Sequence, residues 1–203
     1  MLFEVPEGAT PIHDVSGLLP EGVFTYADLC TAEAENILQA IHTHLHRRKN
    51  LERPWFTERY LRQVHTDMFQ YVWKWAGSYR STDTNIGVPS YTIREEIAKL
   101  CLDVAFWNAQ KNPLPILARA VRIHHRLAWI HPFPNGNGRH SRLITDIYLH
   151  SYHQPLPIWP EADLITRVKS RQDYLAALRQ ADLGNFDPLL DYTTHFLPNA
   201  SVF

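Results

Sequence analysis

With 203 residues, 45% of them hydrophobic and 20% charged, the chain can bury one full core but hardly two independent ones. A net charge of −1 excludes the broad basic surface that direct nucleic-acid or anionic-membrane binding needs, and two cysteines, Cys30 and Cys101, are too few for a disulfide framework. No apolar stretch reaches membrane-spanning length, and acids and a proline stand near Met1 where a secretion signal needs a basic start, so a cytoplasmic soluble protein is expected.

Residues 1–25 are punctuated by Pro6, Gly8, Pro11, Gly17, Pro20 and Gly22 and read as an irregular arm, ahead of a single domain over 26–203. Thr25 or Asp28 can cap a first helix over about 28–47, with Leu29, Ile37, Leu38 and Ile41 as its apolar side. His42, His44 and His46 lie on that helix at i, i+2, i+4; only two share a face, which argues against a metal site. Arg47-Arg48-Lys49 suits the solvated end of the helix, where cations meet the negative pole of the dipole. Thr57 opens a second helix in which Tyr60, Leu61, Val64, Met68, Phe69, Val72 and Trp73 recur at helical spacing. Residues 81–92, with Asn85, Ile86, Gly87, Val88 and Pro89, hold the only strand or hairpin signal. Ile97, Leu100, Cys101, Val104 and Ala105 mark a third helix, closed by Asn112-Pro113. Leu117–Trp129 forms a fourth, Leu143 to about Tyr152 a fifth, and two more lie around Tyr174–Leu178 and Leu189–Phe196. The predicted fold is all-α with one small β-hairpin flap.

Between the fourth and fifth helices runs His131-Pro-Phe-Pro-Asn-Gly-Asn-Gly-Arg-His-Ser-Arg142. Gly136, Asn137 and Gly138 would present bare backbone N–H groups ahead of a helix, a ready anion site. Arg139 and Arg142, three apart, can add bidentate phosphate contacts on one helical turn. His131, an imidazole beside bound phosphate, suits a proton acceptor, so the local chemistry reads as phosphoryl or nucleotidyl transfer. Phe133 is expected to anchor the loop, and the other eleven histidines are expected to pack or hydrogen-bond without chemical work. The plain alternative is a polar loop between two structural helices, with Arg139 and Arg142 as surface arginines.

These residues resemble the signature of Fic (filamentation-induced-by-cAMP) proteins, His-x-Phe-x-(Asp/Glu)-Gly-Asn-Gly-Arg-x-x-Arg, at every defined position except Asn135. Met68-Phe69, Trp75-Ala-Gly-Ser-Tyr-Arg80, Ile86-Gly-Val-Pro89 and Arg171-x-x-Tyr174-Leu-x-Ala-Leu178 also look like elements of that family, and the whole chain is similar to its subgroup called mobile mystery protein B. The resemblance implies a Fic-like helical bundle that moves AMP from ATP, with Mg²⁺, to a Ser, Thr or Tyr hydroxyl of an unknown target protein. His131 would take the hydroxyl proton, Arg139 would steady the triphosphate and Arg142 would bind the γ-phosphate. Glycines at 136 and 138, where related phosphorylating proteins carry Ala and Lys, favour nucleotidyl over γ-phosphoryl transfer. Asn135 stands where a carboxylate would hold Mg²⁺; its amide oxygen adds no charge, so weak metal binding and slow transfer are expected. Thr31, Glu35 and Asn36 resemble the family's inhibitory motif, in which the glutamate fills the γ-phosphate position against the second signature arginine. Asn85–Val88 would be the flap where a target segment docks by strand addition. The subgroup implies a helix-turn-helix partner encoded with a mobile element. Two other readings stay open: a nucleotide-binding regulatory protein made catalytically weak by Asn135, and transfer of a different phosphate-linked group.

Overall fold

A computed structural model describes residues 15–111, 113–160 and 164–198, with the backbone course alone for 164–170. Seven α-helices follow in order: α1 (Tyr26–Leu45), α2 (Glu58–Phe69), α3 (Ile93–Ala109), α4 (Ile116–Ile130), α5 (Asn137–Ser151), α6 (Leu164–Asp182) and α7 (Asp187–His195). Most of the expected irregular arm lies outside the described residues. No described helix is long and apolar enough to cross a membrane.

Local chemistry sets the first two starts. The Thr25 hydroxyl accepts from the Asp28 N–H while the Asp28 carboxylate accepts from the backbone of Thr25, a reciprocal cap worth about 1 kcal/mol. Thr57 caps α2 with one bond, its hydroxyl accepting from the Tyr60 N–H. The antiparallel pair α4 and α5 forms the centre. Ala120, Ile123, Leu127 and Ile130 of α4 meet Leu143, Ile144, Ile147 and Tyr148 of α5 in the main core, with Leu61, Val64, Met68 and Phe69 of α2 and Ile97, Leu100 and Val104 of α3. Val121, on the other side of α4, packs with Ala177, Ala181 and Leu189 into a smaller cluster under α6 and α7.

Three expectations are corrected. Residues 81–89 form bends and turns and no strand, followed by a 3-10 turn at Ser90–Thr92; among the described residues the only bridge joins Leu18 to Trp73. The helix expected from Leu143 begins six residues earlier, at Asn137. The buried face of α1 is more polar than expected: Leu29 is buried and Ile37 and Ile41 pack partly buried against the core, but Leu38 is 65% exposed, and Glu33, Asn36 and His44 are buried beside Leu29 and Ala40. That face is half polar and each polar member is satisfied. Asn36 donates to the Asp67 carbonyl at 2.9 Å and accepts from the Tyr71 N–H at 3.1 Å, and His44 lies 2.9 Å from both the Tyr60 hydroxyl and the Asp67 carboxylate. The helix is therefore docked on α2 by hydrogen bonds as much as by apolar contact.

Candidate active site

Helix α4 ends at Ile130, and His131 leaves it in the left-handed region, φ 52° and ψ 59°. A non-glycine residue adopts that backbone at a cost of about 1–2 kcal/mol, so the surroundings must hold it. They do so from both sides. The next aromatic, Phe133, is fully buried and stacks on the His65 ring at 3.7 Å between centroids. Asn137 brackets Phe133 through its side chain, accepting from the Phe133 N–H at 2.9 Å and donating to its carbonyl at 2.8 Å. His65 completes the frame by donating from Nε2 to the Asn135 carbonyl at 3.0 Å and accepting the Gly77 N–H on Nδ1 at 2.9 Å.

Gly136 precedes α5 with φ 77°, and a Cβ there would come within 2.5 Å of the Phe69 ring, so only glycine fits. The first intrahelical bond runs from the His140 N–H to the Gly136 carbonyl, which leaves the earlier amides of α5 without intrahelical partners. Gly138, exposed in that first turn, would have no atom within 4 Å of an added Cβ. Nothing in the protein demands a glycine there. Glycine in a helix is destabilising by about 1 kcal/mol relative to alanine, and the open space at Gly138 leaves its backbone accessible from outside.

His131 is half-buried. Burial holds its pKa below the ordinary imidazole value, the Arg80 guanidinium pushes the same way, and a hydrogen bond to the Ala128 backbone opposes both. The ring is therefore neutral at pH 7, as a proton acceptor must be. The two signature arginines diverge. Arg139 donates to Glu33 Oε2 at 2.6 Å and lies over the Phe69 ring, whereas Arg142 lies 5.6 Å from the ring centres of both Trp159 and Tyr174.

The carboxylate that meets a signature arginine is Glu33 and not the expected Glu35, and the arginine it meets is the first, Arg139. Counting from buried Leu29, positions 33, 36, 40 and 44 return to one face, and a residue two places from Glu33 points about 200° away. Glu35 is accordingly exposed, and the Thr31 hydroxyl bonds back within its own helix to the Ala27 carbonyl. Of the three residues read as an inhibitory motif, Asn36 alone faces the core. Glu33 is 5% exposed, takes the Arg139 guanidinium on one oxygen and the Trp73 indole N–H, at 2.7 Å, on the other.

Asn135 turns its side-chain oxygen onto the Gly136 N–H at 2.6 Å. Among the described residues no three His, Cys, Asp or Glu groups converge on a point. The donor set therefore does not make a resident Mg²⁺ site; a divalent ion would have to arrive with the oxygens of a polyphosphate.

Asn85, Ile86 and Gly87 are exposed beside the His131 turn, and Val88 is buried, its N–H reaching the Ile130 carbonyl at 3.3 Å. A Cβ at Gly87, with φ 100°, would lie 2.6 Å from that of His131, so the flap backbone runs directly against the base of the His131 side chain. Reading the sequence missed Glu33, His65, Trp73 and Arg80. His65 falls on the α2 core periodicity, at 61, 64, 65, 68 and 69, and that spacing was the signal that it faces the loop and not solvent.

Comparison with known proteins agrees with this geometry. The Fic/DOC family pattern matches residues 55–149, from just before α2 into the last turn of α5. The chain is 30% identical over 119 residues to the protein adenylyltransferase fic-1 of Caenorhabditis elegans, covering 58% of this chain and 22% of that protein. It is 32% identical over 109 residues to a Fido domain-containing protein of Dictyostelium discoideum, covering 52% of this chain and 71% of that one. Among solved structures, the BepC effector of Bartonella tribocorum with bound AMPPNP shares the fold, with a TM-score of 0.65 at 18% identity over 87% of this chain and 90% of that one. The chain spans about a quarter of the length of the curated adenylyltransferases it matches. With the signature on its α4–α5 turn and the shared helical frame around it, the chain belongs to the Fic/DOC family.

Proposed function

We propose that the protein transfers AMP from ATP to a Ser, Thr or Tyr hydroxyl of a protein, and that α1 restrains it through Glu33. The observation that carries the reading is a neutral His131 imidazole at the end of α4, joined by one short turn to a glycine-lined helix start whose first-turn amides have no intrahelical partners. The relatives named protein adenylyltransferase, and the AMPPNP bound by the BepC structure, support it. In the reaction His131 accepts the proton of the attacking hydroxyl. Its oxygen forms a bond to the α-phosphorus, the bond to the bridging oxygen of the β-phosphate breaks, and pyrophosphate leaves. The α5 amides and Arg139 stabilise the negative charge that moves onto the leaving group. A Mg²⁺ ion brought by the nucleotide would neutralise part of that charge.

The restraint follows from the Glu33 carboxylate. Placed on Nη1 of the Arg139 guanidinium, it takes one arm of the fork that a phosphate would use. Because it is almost fully buried and bonded on both oxygens, it leaves only if α1 moves or the residue is replaced. Incubation of wild type, Glu33→Gly and Glu33→Gly/His131→Ala with α-labelled ATP and Mg²⁺ tests both parts. Label is expected on the protein with Glu33→Gly alone. Equal labelling of wild type and Glu33→Gly would remove the restraint from the account. ATP binding without transfer in every variant would favour a second reading, a nucleotide-binding regulator, for which the Asn135 oxygen occupying the Gly136 N–H is the specific support. Gain of transfer on adding Asn135→Asp would then place the weakness at the metal.

A further inference from the structure

Arg80 is a buried cation without a buried counter-charge. It is 4% exposed, and the nearest carboxylate, that of exposed Asp83, is 3.8 Å away. Its donors go instead to four backbone carbonyls on two segments. Nε donates to His131 O at 2.7 Å, and Nη2 reaches Ile130 O at 3.4 Å, both at the end of α4. On the flap, Nη1 donates to Thr82 O at 2.9 Å and Nη2 to Val88 O. The Arg80 main-chain N–H donates to Pro132 O at 2.9 Å, so the residue grips the catalytic turn on both sides of the left-handed His131. The last carbonyls of a helix have no intrahelical partner and form its negative pole, which is where a guanidinium is favoured. Gly87, pressed against both His131 and Arg80, leaves the flap no room to slide inward.

We propose that Arg80 is a positioning residue that joins the target-facing flap and the His131 turn into one unit, so that a single guanidinium sets the distance between a docked hydroxyl and the imidazole. This rests on the transferase reading above. Arg80 touches neither nucleotide nor target; it acts through the carbonyls of Ile130, His131, Thr82 and Val88. Its planar fork spans carbonyls on two segments at once, whereas a lysine ammonium presents its donors from one point and cannot reach both. A misplacement of about 1 Å between reacting groups slows a transfer by about 100-fold.

The test places Arg80→Lys and Arg80→Met in the Glu33→Gly background and measures self-labelling rate, ATP affinity and amide hydrogen exchange. Both variants are expected to label about 100-fold more slowly, with ATP affinity within about twofold of the parent, because Arg80 contacts no residue from Asn135 to Arg142. Exchange at the Val88 amide is expected to rise at least tenfold while the α1 and α2 amides keep their protection. Parent-like labelling in either variant overturns the proposal. So does exchange that rises throughout the chain together with a fall in Tm, which would make Arg80 a general structural residue. If the Glu33→Gly parent itself transfers nothing, the transferase reading fails, and exchange at Val88 still decides whether Arg80 ties flap to turn.

Discussion

Three histidines that frame the site make folding sensitive to mild acid. His65, His124 and His140 are buried, at 0%, 3% and 1% exposure, and their bonds suit the neutral ring. Gly77 donates to Nδ1 of His65 while Nε2 donates to the Asn135 carbonyl. The Thr145 hydroxyl donates to the Ser141 carbonyl, so its oxygen accepts from Nδ1 of His124 and the Tyr174 hydroxyl donates to Nε2. His140 donates Nε2–H to the Leu61 carbonyl, and its buried Nδ1 has no partner. Burial is the main cause that pushes His124 down to about 3 and His140 down to about 4, and that holds His65 well below its ordinary value. In the unfolded chain each titrates near 6.5. Below that pH the unfolded chain binds protons that the folded chain refuses. The stability these rings contribute is therefore complete above about pH 6.5 and is lost as the pH falls toward 4. Each contributes a slope of about 1.4 kcal/mol per pH unit, so three together remove about 4 kcal/mol per unit. Summed from about pH 6.5 to 4 the loss is up to about 10 kcal/mol, comparable to the typical 5–15 kcal/mol of a folded domain, so stability should fall steeply across that window. The carboxylates held low here, Asp28, Asp83 and Glu96, act only as the pH nears their own lower range. Urea unfolding followed by tryptophan fluorescence from pH 7.5 to 4.5 measures the slope, and His140→Gln should reduce it by about 1.4 kcal/mol per pH unit. A stability that stays flat between pH 6.5 and 5 would refute the assignment of neutral, proton-refusing rings.

Two glycines two residues apart should respond in opposite ways. Gly136→Ala is expected to lower stability by at least about 2 kcal/mol through left-handed strain and the Phe69 clash, whereas Gly138→Ala should raise it by up to about 1 kcal/mol while weakening ATP binding; thermal melts and calorimetric titration of both variants check this. Trp73→Phe removes the indole donor from the Glu33 carboxylate, a charged hydrogen bond of about 1.5–3 kcal/mol, and should release part of the restraint. Labelling with α-labelled ATP is expected to fall between wild type and Glu33→Gly, and labelling no greater than wild type would mean that Trp73 does not hold Glu33 in place.

Much of the site was legible because its chemistry is local. The Thr25 and Thr57 caps depend on residues three positions on, and the glycines, arginines and His131 stand within twelve residues of chain. Where a signal depended on a partner, it failed. The α5 start was hidden because Asn137 and Gly138 are residues that favour turns, and the Asn137 amide bonds to Phe133 show only in three dimensions why a helix can begin there. The flap has the residues of a hairpin but no strand partner; Arg80 and the Ile130 carbonyl take its backbone groups instead.

By itself the sequence determined the helical periodicities, the helix caps and a turn that gathers His131, two glycines and two arginines, since each is written in spacings of a few residues. Only the tertiary structure decided which acid meets Arg139. Glu33 and Glu35 are chemically identical and two residues apart; what separates them is the phase of α1, set by Asn36 and His44 bonding across to α2.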